Sequence, residues 1–322
     1  MAKTRYAPDR GLTARMTLTM FLLGLVFVAF IAVLVLVLAA TNRVSSGGIV
    51  FFAVLLGLVL GVGSFFYSDK IALSTARARV VTPQDSPQAA KLHGVVDRLV
   101  ALADMPKPRV AIAPSPVPNA FATGRNTKTS VLVVTTGLLN MLDDRELEGV
   151  LAHELSHVAH KDVVVMTIAS FIGIIAALLV RFAFYSELFG GGGRGRGGNN
   201  NNNGGALPVV LIVLVVGMVT YAISFLLIRL LSRYRELAAD RSGALLTGQP
   251  SALASALQKV SGSMSAIPTK DLRAAEPLNA FYFVPALKAK SKEVSLSTLF
   301  STHPSLERRL RQLSEISDQL SR

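Results

Sequence analysis

The sequence predicts a mainly helical α+β protein: four predicted transmembrane helices plus a cytoplasmic domain that contains a small β-sheet. Three observations lead there. The chain of 322 residues is 51% hydrophobic with a mean hydropathy of +0.48, too apolar for an ordinary soluble protein. Four apolar runs are each long enough to cross a hydrocarbon core of about 30 Å. The remaining segments carry helical apolar spacing, interrupted by short β-branched stretches.

Charge narrows the class of partner. Only 16% of residues are charged, yet the net charge is +13, and many Lys and Arg flank the apolar runs. Attraction to anionic lipid head groups and orientation of the spans account for that excess. No zinc finger or aromatic RNA-binding pattern supports a nucleic-acid partner. The sequence contains no cysteine, so disulfides and thiolate metal sites are excluded, and any metal must be held by His, Asp or Glu.

Residues 1–17 form a basic cytoplasmic tail with Lys3, Arg5, Arg10 and Arg15. A transmembrane hairpin, 18–66, follows, with spans 18–40 and 49–66 around a short polar turn. Basic residues at its outer ends place both ends in the cytoplasm. Residues 67–162 begin the globular domain. Ser86-Pro87 is a helix start, and Ala89 to Ala103 has helical spacing. Val110 to Ala113 and Ser130 to Thr135 read as strands, Asn119 to Gly124 as an exposed edge strand, and Gly137 to Leu142 as a short helix. Asp143 and Glu146 then start the next helix as a capping pair. Residues 163–228 read as a second membrane hairpin around a disordered Gly/Asn linker at 190–205. A re-entrant or protein-packed hairpin is the alternative. Residues 229–322 complete the globular domain, with helices at Tyr234 to Leu246, Ser251 to Val260 and Pro304 to Leu320.

The chemistry concentrates in Glu146 to His160, ELEGVLAHELSHVAH, which contains the HExxH motif His153-Glu154-Leu155-Ser156-His157. Residues four apart share a helix face, so the two imidazoles project side by side, about 6 Å apart along the axis. Such a pair can bind one Zn²⁺, with Glu154 placed to act as a general base on water. His160 lies about 10.5 Å along the axis from His153, too far to join them on a straight helix. Glu236 can supply a third ligand, and Asp240, four residues on, can accept the free N–H of a ligand histidine. Spacing alone favours reading these two as an exposed acidic pair on a helix surface. His303 is either a plain residue before the last helix or a donor to a reaction oxyanion, with Arg308 or Arg309 nearby. Asn119, Ala120, Phe121, Ala122, Thr123 and Gly124 either form a surface strand or bind an extended substrate by strand addition.

Asn119 to Gly124, the HExxH helix, the Glu236-Leu237-Ala238-Ala239-Asp240 segment after a membrane hairpin, and Ser301-Thr302-His303-Pro304 occur in that order after paired N-terminal spans. This ordered set resembles the HtpX family of membrane zinc metalloproteases, gluzincins related to the CAAX prenyl proteases. The resemblance covers nearly the whole chain. It implies a zincin-like metalloprotease domain holding one Zn²⁺ per chain through His153, His157 and Glu236, with Glu154 catalytic and the site facing the cytoplasm. It also implies a multi-pass protein of the bacterial-type cytoplasmic (inner) membrane, acting in membrane protein quality control under stress. The substrates would be polypeptides, above all membrane proteins cleaved at cytoplasmic segments; the sequence sets no oligomeric state. The Gly/Asn insertion departs from the family pattern but lies away from the catalytic segments. CAAX-type or other narrow-substrate processing is the rival enzyme reading. A membrane scaffold with a structural metal is the non-enzymatic one, against which the intact Glu154 speaks.

Overall fold

The computed structural model of the chain describes residues 10–40, 66–124, 126–162, 164–167, 206–266 and 303–322, with isolated residues 55, 63, 169, 174, 177 and 178. Most of the second and third predicted spans, and the Gly/Asn run at 190–205, lie outside the described residues. The chain separates into two compact units, one of Met1–Arg15, Phe65–Val165 and Ser232–Arg322, the other of Met16–Ser64 and Met166–Leu231.

The first unit is built on a four-stranded mixed sheet of β1 (Arg79–Val80), β2 (Arg109–Ala113), β3 (Ala120–Thr123) and β4 (Val131–Thr135) in the order β1-β2-β4-β3. β2 and β4 pair in parallel, with Ala111 opposite Val133, while β1 and β3 close the two sides antiparallel. Gly124 begins the turn between β3 and β4 at φ +134°, where a Cβ would stand 2.6 Å from the Ser130 Cα, so only glycine fits.

Alternation along the strands assigns the two faces. Ala111, Ala113, Phe121, Val131 and Val133 pack with Ala72 of α2 (Ser68–Thr75). Val110, Ala120, Leu132 and Val134 face the larger core. There they meet Leu92, Val96 and Leu99 of α3 (Pro87–Ala103) and Leu147, Val150, Leu151 and Leu155 of the HExxH helix, α5 (Asp144–Ala159). Each of those α5 side chains is fully buried, worth about 1.5–3 kcal/mol apiece against exposure. A short α4 (Thr136–Met141) links β4 to α5. The core continues through α7 (Pro250–Ala266) and α8 (Leu306–Leu320), with Leu253, Leu257, Leu313 and Ile316 buried.

The helix starts follow local chemistry. Ser86 Oγ accepts from the Ala89 amide at 3.0 Å with Pro87 in the first turn. Asp143 accepts from the Glu146 amide at 2.9 Å while Glu146 accepts from the Asp143 amide at 3.0 Å, a complete capping box. Ser305 caps α8 through the Arg308 amide. One expectation is corrected. β3 is an edge strand, but not an exposed one: Asn119, Ala120, Phe121 and Thr123 are buried, because α5 covers one face and α2 the other.

α6 (Ala206–Thr247) is a single helix that contains both the predicted fourth span and the predicted helix after it. Together with α1 (Arg10–Ala40) it supplies the two helices, among the described residues, that are long and apolar enough to cross a membrane. In the second unit these helices turn large apolar side chains outward, including Phe21, Val28, Leu211 and Met218, each at least 60% exposed. Lipid is the solvent that accepts such a surface.

Candidate metal centre

α5 sets His153 and His157 one turn apart, with ring centroids 4.8 Å apart, near-perpendicular planes and the two Nε2 atoms 3.2 Å from each other. The last part of α6 lies across this face. Glu236 Oε1 is 3.5 Å from His157 Nε2, and Glu236 Oε2 is 3.7 Å from His153 Nε2. The approach is close because Gly243, two turns after Glu236, rests on the backbone of α5. A Cβ there would stand 2.9 Å from the His153 nitrogen. No sequence pattern singled out Gly243.

Each imidazole is engaged through Nδ1. His153 Nδ1 lies 2.8 Å from Asp240 Oδ1, and His157 Nδ1 lies 2.5 Å from Asp162 Oδ2. Each carboxylate has an arginine behind it. Arg309 donates to both oxygens of Asp240 at 2.7 Å, and Arg235 Nη2 stands 2.9 Å from Asp162 Oδ2. Burial raises the Asp162 carboxyl, but Arg235 and His157 outweigh it and hold the group at about 2.

This arrangement fits a cation. In the neutral imidazoles, an Nδ1 proton directed at each neighbouring carboxylate would leave each Nε2 a lone pair, and the two Nε2 atoms converge with a carboxylate that also only accepts. One ligand atom from each of His153, His157 and Glu236 lies within 4.8 Å of the other two. Burial lowers the His153 imidazole, yet the hydrogen bonds to Asp240 and Glu236 reverse this and raise it to about 9. The site attracts positive charge strongly. The donor set of two imidazoles and one carboxylate is one that Zn²⁺ accepts while leaving a position open.

Glu154 points from the same helix toward the sheet edge, where its Oε2 accepts from the Ala122 amide at 3.2 Å. Burial pushes its carboxyl up, opposed by the two imidazoles. The structure thus brings Ala122 of β3 to Glu154. His303 is also brought in, its Nδ1 3.0 Å from Glu236 Oε2. Of the two arginines near it in sequence, Arg308 is exposed, while Arg309 is buried against Asp240 and 4.0 Å from Glu236. His160 is exposed at the C-cap of α5, and His93 bonds the Val81 carbonyl at 2.9 Å, so neither enters the site. Asp162, Arg235 and Arg309 were not predicted in these places. Their signal in the sequence is only that Asp162 follows the end of the HExxH helix and that Arg235 and Arg309 are charged residues within helices.

An HExxH helix crossed by a glutamate-bearing helix, in a chain with apolar spanning helices, defines a membrane-associated metalloprotease. The description of peptidase family M48 matches residues 86–317. A protease HtpX homolog 1 of Streptomyces coelicolor is 54% identical over 318 residues, covering 99% of this chain and 97% of that one. A protease HtpX homolog of Moorella thermoacetica is 48% identical over 313 residues, covering 97% and 96%. The chain belongs to peptidase family M48, among the HtpX proteases. The crystal structure of S. mikatae Ste24p is similar in fold, with a TM-score of 0.50 at 19% identity over 95% of this chain and 66% of that one.

Proposed function

We propose that the protein is a zinc-dependent endopeptidase of a cytoplasmic membrane, cleaving membrane or misfolded proteins at cytoplasmic segments. The observation that carries this is the convergence of His153, His157 and Glu236 beside Glu154, under a sheet edge. Membrane protein quality control is the family's implication. Basic residues flanking the apolar runs support a multi-pass arrangement with the site on the cytoplasmic side.

In this reading His153, His157 and Glu236 hold one Zn²⁺. Zinc, when bound, supplies Lewis acidity, lowering the pKa of a water and polarising the scissile carbonyl. Asp240 fixes the His153 tautomer so that Nε2 keeps its lone pair for the metal. Glu154 accepts the proton of the attacking water and passes it to the leaving amine; burial shifts its carboxyl in the direction a general base needs. The Ala122 amide orients that carboxylate. His303, at 3.0 Å from Glu236, is near enough to donate to the developing oxyanion. The segment Asn119 to Gly124 offers β3 to an extended substrate, whose backbone pairs with little regard for sequence, as quality control requires.

The test is cleavage of casein by the detergent-purified protein, stripped with chelator and given Zn²⁺, beside Glu154→Gln. Zinc-dependent cleavage that disappears in the variant is expected. Undiminished cleavage by the variant would remove Glu154 from its role. Inactivity of both with one zinc bound per chain would favour a narrow-substrate enzyme or a scaffold.

A further inference from the structure

Asp162 lies five residues after His157, and on a continuing helix it would point about 140° away from it. The chain prevents this. α5 ends at Ala159, His160 caps it, and Lys161 turns back in the left-handed region at φ 58°, its amide donating to the Val158 carbonyl at 3.2 Å. A residue with a Cβ resists this conformation by about 1–2 kcal/mol, so its surroundings must hold it. The turn delivers Asp162 to His157 Nδ1 and buries it to 2% exposure. A buried carboxylate needs partners, and among the described residues Asp162 has two, both at Oδ2: the imidazole, and Arg235 at 2.9 Å, the residue immediately before Glu236.

We infer that Asp162 is a positioning residue that fixes the tautomer and orientation of His157, and that Arg235 and the left-handed turn at Lys161 hold it there. The inference rests on the metal-site reading above. It makes the site a pair of matching chains, His153–Asp240–Arg309 and His157–Asp162–Arg235. Each chain leaves one Nε2 lone pair facing Glu236. Both also bind the HExxH helix to α6, through Asp240 in one case and Arg235 in the other, so the three ligands are set as one body.

A merely structural role, stapling the end of α5 to α6, makes a different prediction. Asn at position 162 keeps the volume and an acceptor oxygen, so it would restore a staple. It weakens the hold on the tautomer, because it lacks the charge that favours a proton on Nδ1, and its amide, when turned, donates to Nδ1 and leaves the proton on Nε2, where it blocks a metal; Ala removes the acceptor altogether. The experiment uses the full chain in detergent. Zinc dissociation constants come from chelator competition, site geometry from the visible spectrum of the Co²⁺ form, and folding from the thermal midpoint of the metal-free form. Asp162→Asn and Asp162→Ala are both expected to bind zinc about 10–100-fold more weakly, with an altered Co²⁺ spectrum. Lys161→Gly is expected to keep wild-type affinity, since glycine adopts the turn without strain. Wild-type zinc affinity and Co²⁺ spectrum in both Asp162→Asn and Asp162→Ala would overturn the assignment while leaving the metal site intact. Loss of zinc in Lys161→Gly would overturn the part given to the turn. A wild-type protein that binds neither ion would overturn the metal reading itself, and this inference with it.

Discussion

Gly243→Ala changes one hydrogen to a methyl, and the structure sets the consequence. The new carbon would lie 2.9 Å from the His153 nitrogen and 3.2 Å from both the Ala152 carbonyl carbon and the His153 Cα. All three are backbone atoms of α5, so no side chain can swing aside. Carbon contacts are comfortable at about 3.5–4.0 Å, so α6 must retreat by roughly 0.5–1 Å. Asp240 and Glu236 lie three and seven residues earlier on the same helix face and move with it. Metal–ligand distances tolerate only about ±0.2 Å. The expected result is a loss of zinc affinity of about 10–100-fold, or about 1.4–2.8 kcal/mol, with an overpacking cost to the metal-free fold of about 1–3 kcal/mol. Chelator competition reads the first and the thermal midpoint the second. A variant with wild-type zinc affinity and midpoint would refute the reasoning, because it would show that the close helix approach does not set the position of Glu236.

Other outcomes follow from the same framework. Arg309→Leu leaves the Asp240 carboxylate buried without its bidentate partner; a loss of about 3–5 kcal/mol is expected, read as a large drop in thermal midpoint. Glu146 is 3% exposed and accepts from Ser255 Oγ at 2.6 Å and Lys259 Nζ at 2.8 Å. Burial raises its carboxyl, but these donors outweigh burial and hold it below 4.5. A carboxyl lowered on folding adds stability above its unfolded value and loses it as pH falls through the folded one. Glu146→Gln should therefore cost about 1.5–3 kcal/mol at pH 7, and the gap to wild type should close as pH falls below about 4.5, measured by unfolding across pH. Ala122→Pro removes the amide that bonds Glu154, and is expected to lower kcat while zinc stays bound, measured by casein cleavage beside metal analysis.

Local signals were legible in the sequence wherever neighbours in the chain decide the outcome. Ser86-Pro87, the Asp143/Glu146 box and the apolar face of Leu147, Val150, Leu151 and Leu155 each specify their element within one or two turns. The β-branched run at Val131–Thr135 did the same for the central strand. What was illegible depends on contacts across long separations. Asn119 to Thr123 carries no pattern that distinguishes an edge strand with covered faces from an exposed one, because its cover comes from α2 and α5. α2 and β1 are short and held by the sheet, so their own residues announce little. At the site, HExxH fixes two side chains on one helix. The meeting with Glu236 depends on Gly243, and the second carboxylate–imidazole pair on a left-handed lysine that no propensity favours.

The most direct measurement is X-ray absorption at the zinc edge on the detergent-purified protein, with metal content per chain and with Glu236→Gln beside it. One zinc per chain with two imidazole nitrogens at about 2.0–2.1 Å and oxygen ligands completing the shell is the expected result, with weakened zinc retention in the variant. A shell without imidazole scattering, or an unchanged shell and content in Glu236→Gln, would contradict the assignment of His153, His157 and Glu236 as the metal centre.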